Sequence, residues 1–411
     1  MRTLETRRRL HAWLLLAGVS QAIAADPQWL IDARSKEGQL VDPQVVTSAD
    51  KRITFSTPVA LAAELKAGKD SYSVSLRLGP DAVAECEILN DNADVASLLR
   101  ASAQKTFADI LEPAQGKIEK RLLEHIDAGV AGATPFLSVA WLYRVKNEKG
   151  ETRLGALRQV AASRAGHGIY CALNDLGYAN TFEKVFRALL ESLKTKDDED
   201  APYYSEVDVA TLAGVRIGYA AVELRRDKDG DTKSLQTVSM LNATTSDTLQ
   251  SRDDADVDWV TPDGALINSL QATNTNGELE LNLTLKKADD QSWVVEGKFR
   301  GKNVHETIAG GLPSTFLSEA KLRRTLLAAE KPIDAEGSEL DWLTADPGRF
   351  TPIKLKVLAA VDANTFRMRE SSDNHTLELT VDRATGLVTQ GSMQVGPTAI
   401  EFARVYVHGS L

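Results

Sequence analysis

Cys86 and Cys171, with His167 and Asp175 near the second, are the residues of this 411-residue chain whose types could support nucleophilic chemistry. A Cys hydrolase needs a base within hydrogen-bond reach of its thiol. If Gly166 to Leu173 is a strand, His167 and Cys171 share a face but stand roughly 13 Å apart, which argues against a thiol nucleophile. The remaining histidines, His125, His305, His375 and His408, show no metal-ligand spacing, so no metal site is expected. Asp227-Lys-Asp-Gly-Asp231 has the alternating carboxylates of a calcium loop's start, but Thr232 stands where that loop requires Gly. An Asp-Gly hairpin turn is the better reading. No nucleophile elbow, phosphate loop or dinucleotide fingerprint occurs, so neither a catalytic residue nor a cofactor is assigned.

Elsewhere the residues speak of place rather than reaction. Arg2, Arg7, Arg8 and Arg9 precede the apolar run around Leu14 to Val19, and Ala22-Ile-Ala24 follows. This order is that of a secretory signal peptide over residues 1–24, cut between Ala24 and Ala25. The run is too short for a permanent span, which needs about twenty apolar residues, and no Cys adjoins it for acylation. A soluble periplasmic protein of a Gram-negative bacterium, with no stable membrane insertion, is expected. The chain has 48 basic and 58 acidic residues, a net charge of −10, which excludes nucleic acid as a partner because no clustered cations are available to release counterions.

An oxidising compartment favours a Cys86–Cys171 disulfide over the alternative of two separate buried thiols. Alternation in Ala82-Val-Ala-Glu-Cys86-Glu-Ile88 turns Cys86 inward. By the chain-entropy model such a bridge contributes roughly 4 to 5 kcal/mol.

The elements that position these residues fall into two halves. After a polar leader (25–50), residues 51–195 alternate at period two around Arg52–Thr57, Ser71–Leu78 and the Cys86 run. A helix capped by Asp91 or Asn92 is expected to carry Val95, Leu98, Leu99, Ala103, Phe107 and Ile110 until Pro113 closes it, and a second helical pattern covers Lys117 to Asp127. Strands resume at Phe136–Val145, Thr152–Ala162 and Gly166–Leu173. A strongly amphipathic helix from Thr181 to Lys194 closes the half, with Phe182, Val185, Phe186, Leu189, Leu190 and Leu193 on its core face. Residues 196–203, with Asp197, Asp198, Glu199 and Asp200, read as an acidic linker.

Residues 204–411 are strand upon strand. In Glu278-Leu-Glu-Leu-Asn-Leu-Thr-Leu-Lys286 the alternation puts Leu279, Leu281, Leu283 and Leu285 on one dry face. One helix, from a Ser314 cap to Glu330, is available to cover it, with Lys321, Arg323 and Arg324 as a solvated face or a contact for an acidic partner. The expected fold class is α+β: an antiparallel α/β sandwich, then a curved antiparallel sheet or half-barrel with one covering helix. Such an arrangement leaves room for a cavity lined by Leu279, Leu281, Leu283, Leu285, Trp293, Phe299, Phe316 and Leu327.

The element order over about residues 50–195, with the closing Phe-rich helix, resembles the PsbP and DcrB type of extracytoplasmic α/β sandwich. That resemblance implies a non-enzymatic accessory factor. The second half, with the Thr380-Val-Asp-Arg-Ala-Thr-Gly-Leu-Val388 hairpin, resembles the open β-barrel carriers of the LolA type, which implies carriage of an apolar ligand. The expected function is an exported accessory protein binding a lipid or other apolar ligand, or an envelope protein. The alternatives are an interaction module recruiting partners by strand addition and an unrecognised hydrolase.

Overall fold

The structure, a computed structural model, describes residues 28–164, 166–196, 201–288, 292–343, 349–372 and 375–411. The signal peptide with its Ala24–Ala25 cleavage point, the acidic run 197–200 and the turn residues 289–291 lie outside these. The fold is α+β and rich in antiparallel strands, and the described residues form two compact units. One holds residues 28–196 with 239–251, and the other 201–238 with 252–411.

The first unit is built on a seven-stranded antiparallel sheet. Its strands are β3 (Leu61–Ala67), β4 (Ser71–Arg77), β5 (Val83–Leu89), β6 (Lys117–Ala131), β7 (Thr134–Lys146), β8 (Thr152–Arg164) and β9 (His167–Asn174), in the order β3-β4-β5-β9-β8-β7-β6. The leader carries a short helix, α1 (Gln28–Arg34), and a strand, β1 (Gln44–Thr47), which pairs with β2 (Ile53–Thr57), whose other edge takes the short β10 (Lys194–Thr195). On β7 successive side chains take opposite faces, and the two faces meet different helices. Phe136 meets Phe186 of α3 (Ala179–Ser192) edge to face at 5.8 Å. Trp141 and Tyr143, on the other side, meet Phe107 at 5.9 and 5.6 Å, in the helical segment that begins with α2 (Val95–Lys105).

Three local expectations in this unit are corrected. Lys117 to Asp127 is strand, not helix. Register shifts between Ile118 and Lys120 and between Leu123 and His125 interrupt its alternation, so Ile118, Leu122, Leu123 and Ile126 fall at spacings that imitate a helical stripe. The first long helix starts after Asp94 rather than Asp91 or Asn92. It also runs through Pro113: a π-helical stretch, Thr106–Leu111, precedes the last turn, Glu112–Gln115, and Gly116 ends it. Widening the turn before the proline relieves the clash of its ring with the carbonyl four residues back.

The second unit is built on a long open sheet. Its strands are β11 (Tyr204–Leu212), β12 (Val215–Arg226), β13 (Thr232–Thr245), β14 (Thr248–Val260), β15 (Leu266–Thr275), β16 (Glu278–Lys287), β17 (Trp293–Phe299), β18 (Lys302–Ile308), and, after a helix, the short β19 (Glu336–Gly337), β22 (Lys354–Ala360), β23 (Thr365–Ser372), β24 (His375–Asp382), β25 (Val388–Val395) and β26 (Thr398–Gly409), while β20 (Asp341–Leu343) and β21 (Phe350–Pro352) form a separate pair. The chain's late strands join its early ones through β26, which pairs with β11. The tip of the β13–β14 hairpin, residues 239–251, belongs to the first unit, where Ser246 accepts a backbone hydrogen bond from Leu123 at 2.7 Å and Leu249 accepts one from Arg100 Nε at 3.2 Å.

The covering helix α4 (Phe316–Leu327) is capped by Thr315 rather than Ser314. Thr315 Oγ1 accepts from the Ser318 amide at 3.1 Å while Ser318 Oγ accepts from the Thr315 amide at 2.8 Å, a reciprocal capping box. Phe316 and Ala320 pack on Tyr204, Val222, Leu224 and Leu387.

Candidate functional site

The Thr380–Val388 hairpin, singled out by its Asp and Gly, is the seat of α4. Asp382 Oδ1 accepts from the Thr385 amide at 2.9 Å and the Thr385 hydroxyl at 2.7 Å, shaping the turn. Gly386 has φ +71°, and a Cβ there would lie 2.0 Å from the Ala320 carbonyl, so only glycine lets the helix backbone approach. Arg323 Nε donates to the Gly386 carbonyl at 3.0 Å, and its Nη1 reaches Glu319 and Glu370 at 3.4 and 3.5 Å. Arg323 is therefore buried structure, whereas Lys321 and Arg324 are exposed.

The leucine stripe of β16 occupies a buried face, with one exception. Leu281, Leu283 and Leu285 are buried and stand opposite Phe299, Gly297 and Val295 of β17. Leu279 is 55% exposed and leaves the stripe. A register shift between Thr273 and Asn274 against β16 throws the strand out of phase before Leu281. Trp293 is buried against the Phe350 ring at 6.4 Å, and Phe299 is half-buried. Leu327 is fully buried at the end of α4, and Phe316 stacks near Tyr204 at 5.8 Å.

The neighbouring strands were not anticipated. On β14 and β15 many buried positions are polar: Asp254, Asp256 and Asp258 stand directly opposite Thr273, Gln271 and Ser269. Gln271 and Ser269 in turn stand opposite Leu283 and Leu285. The same face thus changes from carboxylates to amide and hydroxyl to leucine across three adjacent strands. On β13, which neighbours β14, Thr232, Ser234 and Gln236 are buried in alternation, ahead of a continuous buried run from Val238 to Leu241.

Part of this polar band is internally matched. Arg252 grips Asp254 with two bonds of 2.7 Å, and Thr273 Oγ1 donates to Asp254 at 2.6 Å. On β11 the Tyr204 hydroxyl donates to Glu206 at 2.6 Å, and Arg404 lies 3.6 Å from the same carboxylate. Burial, and then the adjacent Glu206 charge, hold the Tyr204 phenol well above its usual range, so it stays a donor. Other atoms have no such match: Ser234 Oγ, both Gln236 amide atoms, Ser269 Oγ and Gln271 Nε2 are buried without a hydrogen-bond partner among the described residues. A buried unmade hydrogen bond costs about 1–3 kcal/mol, so each of these atoms favours a partner from outside the chain, water or ligand.

The other candidates for chemistry resolve as structure. Cys86 and Cys171 are disulfide-bonded, cross-strand partners on β5 and β9 with Cα atoms 4.0 Å apart. His167 Nδ1 bonds the Leu89 carbonyl at 2.7 Å, and Asp175 accepts from the Gly177 amide. Asp227 accepts from the amides of Asp229 and Asp231, closing the expected hairpin turn. Among the described residues no group of three or more His, Cys, Asp or Glu could hold a metal ion.

No family model matches the chain, and no curated protein matches its sequence. Among solved structures it is similar to a β-barrel-like protein of the domain of unknown function DUF1849 from Brucella abortus, with 13% identity, a TM-score of 0.40, and coverage of 51% of this chain and 98% of that one. It is also similar to cyanobacterial PsbP (CyanoP) from Synechocystis sp. PCC 6803, with 13% identity, a TM-score of 0.26, and coverage of 38% of this chain and 94% of that one. Likenesses of this size say nothing of function.

Proposed function

We propose that the protein is an exported, non-catalytic accessory factor of the cell envelope, whose second unit binds an apolar-tailed ligand on the buried face of β15–β16. The observation that carries this reading is the cluster of buried, unmatched amide and hydroxyl groups beside the Leu281–Leu283–Leu285 stripe. A face that is leucine on one strand and unmatched amide on the next suits an amphiphile better than a closed core.

The Arg-rich start with its apolar run supports export to the periplasm. The Cys86–Cys171 bridge is consistent with an oxidising compartment, and no described helix is long and apolar enough to cross a membrane. The bridge also ties up the thiol that a hydrolase reading would need. Recruitment by strand addition is disfavoured at one end of each large sheet: β18 carries Lys302, His305 and Glu306 on an exposed edge, and β6 carries charges and two register shifts.

Osmotic-shock fractionation of expressing cells should release the processed protein with its N-terminus at Ala25. Organic extraction of that native material should then yield a lipid-like molecule in near-stoichiometric amount. An empty extract from freshly released protein, together with no uptake of added amphiphile, would overturn the ligand-binding reading.

A further inference from the structure

The buried face of β15–β16 is closed at one end and open at the other. At the closed end the cross-strand row Asp258, Ser269, Leu285 and Val295 is sealed, each residue 1% exposed or less. Just beyond that row, Trp293 Nε1 donates to the Gly311 carbonyl at 3.4 Å, and Thr315 Oγ1, at the start of α4, donates to the Gly264 carbonyl at 2.8 Å. Leu281 lies four residues along β16 from Leu285, about 13 Å away, and there the face opens. Phe299, opposite Leu281, is half-buried, Lys302, opposite Phe299, is exposed, and Leu279 has left the row.

The unmatched groups beside the leucines sit at the closed end. Ser269 Oγ stands opposite Leu285 and Gln271 Nε2 opposite Leu283, whereas the Thr273 hydroxyl opposite Leu281 already donates to Asp254. Thr275 Oγ1, also without a partner, stands opposite Glu278, past the register shift and off the leucine row. An aliphatic chain lying along Leu281 therefore strands no polar group, and an oxygen beside Leu283 and Leu285 accepts from Gln271 Nε2 while Ser269 Oγ bonds it in either sense. The polar end of such a ligand is its deep end. A bulky head group there would displace packed side chains on four strands.

We infer that this face takes its ligand polar end first, and that the ligand is an unbranched aliphatic chain ending in a small oxygen group, an alcohol or carbonyl, rather than a lipid with a bulky head. The inference rests on the ligand-binding reading above and adds the ligand's direction and the size of its polar end. Gln271 and Ser269 hold the terminal oxygen, Leu283 and Leu285 take the first carbons, and the tail runs past Leu281 toward the open end.

The test is calorimetric titration of the delipidated mature protein with three uncharged ten-carbon probes, each below its aggregation concentration: decan-1-ol, its isomer decan-5-ol and decyl maltoside. All three carry hydroxyls and none carries charge, so their ranking reports the position and size of the polar group. Decan-1-ol should bind about tenfold or more tightly than either of the others. Gln271→Leu should lose about tenfold in affinity for decan-1-ol and leave the other two unchanged. Circular dichroism checks the fold of the variant, and the wild-type ranking stands independently of it. Decan-5-ol or decyl maltoside binding as tightly as decan-1-ol, or an unchanged decan-1-ol affinity in folded Gln271→Leu protein, would overturn this inference and leave ligand binding intact. Absence of binding by all three, in protein confirmed to be folded and lipid-free, would overturn both.

Discussion

Two buried sheet faces in this molecule are built on opposite plans. In the first unit, the face beneath α3 carries an apolar cluster, with Val74, Leu76, Ile88, Val160 and Ile169 around the Cys86–Cys171 bridge. In the second, the face of β14–β16 is half leucine and half carboxylate, amide and hydroxyl, some of it unmatched. The first plan is what stability alone selects, since every buried atom finds an apolar neighbour or a bond. The second retains groups that cost stability, and such groups are retained where function needs them.

Breaking the first plan should have the larger effect. A Cys86→Ala, Cys171→Ala variant frees a separation of 85 residues and should lose about 4–5 kcal/mol by the loop-entropy model, seen as an early thermal transition of the first unit while the second keeps its own. A single transition unchanged in midpoint would show that the bridge does not hold that core together. Gly386→Ala forces a side chain onto the Ala320 carbonyl at a positive φ, and about 2–4 kcal/mol should be lost from the second unit in urea titration.

Gln271→Leu should act in the opposite direction. It extends the leucine face by one strand and removes an unmatched donor, so the second unit should gain about 1 kcal/mol. A loss of stability would mean that Gln271 serves the fold, and the contrast between the two faces would fail.

The smallest effect concerns Asp50 in the first unit. Its carboxylate accepts from Ser48 Oγ at 2.6 Å and from the Tyr72 hydroxyl at 2.7 Å, which, with Ser48 the larger influence, holds its pKa down to about 2. The folded pKa lies below the ordinary value of 3.8, so the carboxylate's contribution is whole above about pH 4 and is lost as pH falls through 2. In an NMR titration Ser48→Ala should return the Asp50 midpoint part of the way toward 3.8. An unmoved midpoint would assign the depression elsewhere.

The sequence carries the periods of these elements more clearly than it carries their orientation. The core face of α3 was legible because Phe182, Val185, Phe186, Leu189 and Leu190 recur at 3.6 and are buried. The cysteine pairing was legible from compartment and alternation together. By contrast, Asp254-Ala-Asp256-Val-Asp258 alternates as plainly as the leucines of β16, and the ordinary reading turns the aspartates to water. The structure buries them, because alternation fixes which residues share a face and not which face is inside. Register shifts hid the rest: one detached Leu279 from its stripe, and two made the β6 strand resemble a helix. Each inserts a single residue that no composition signal marks.

The most direct measurement is a high-resolution crystal structure of the protein released from its native compartment without detergent or denaturant. Continuous, chain-like density should lie along Leu281, Leu283 and Leu285, with its polar end within hydrogen-bond distance of Ser269 and Gln271. Ordered water satisfying those side chains, with leucine packed directly against protein and no such density, would contradict the account.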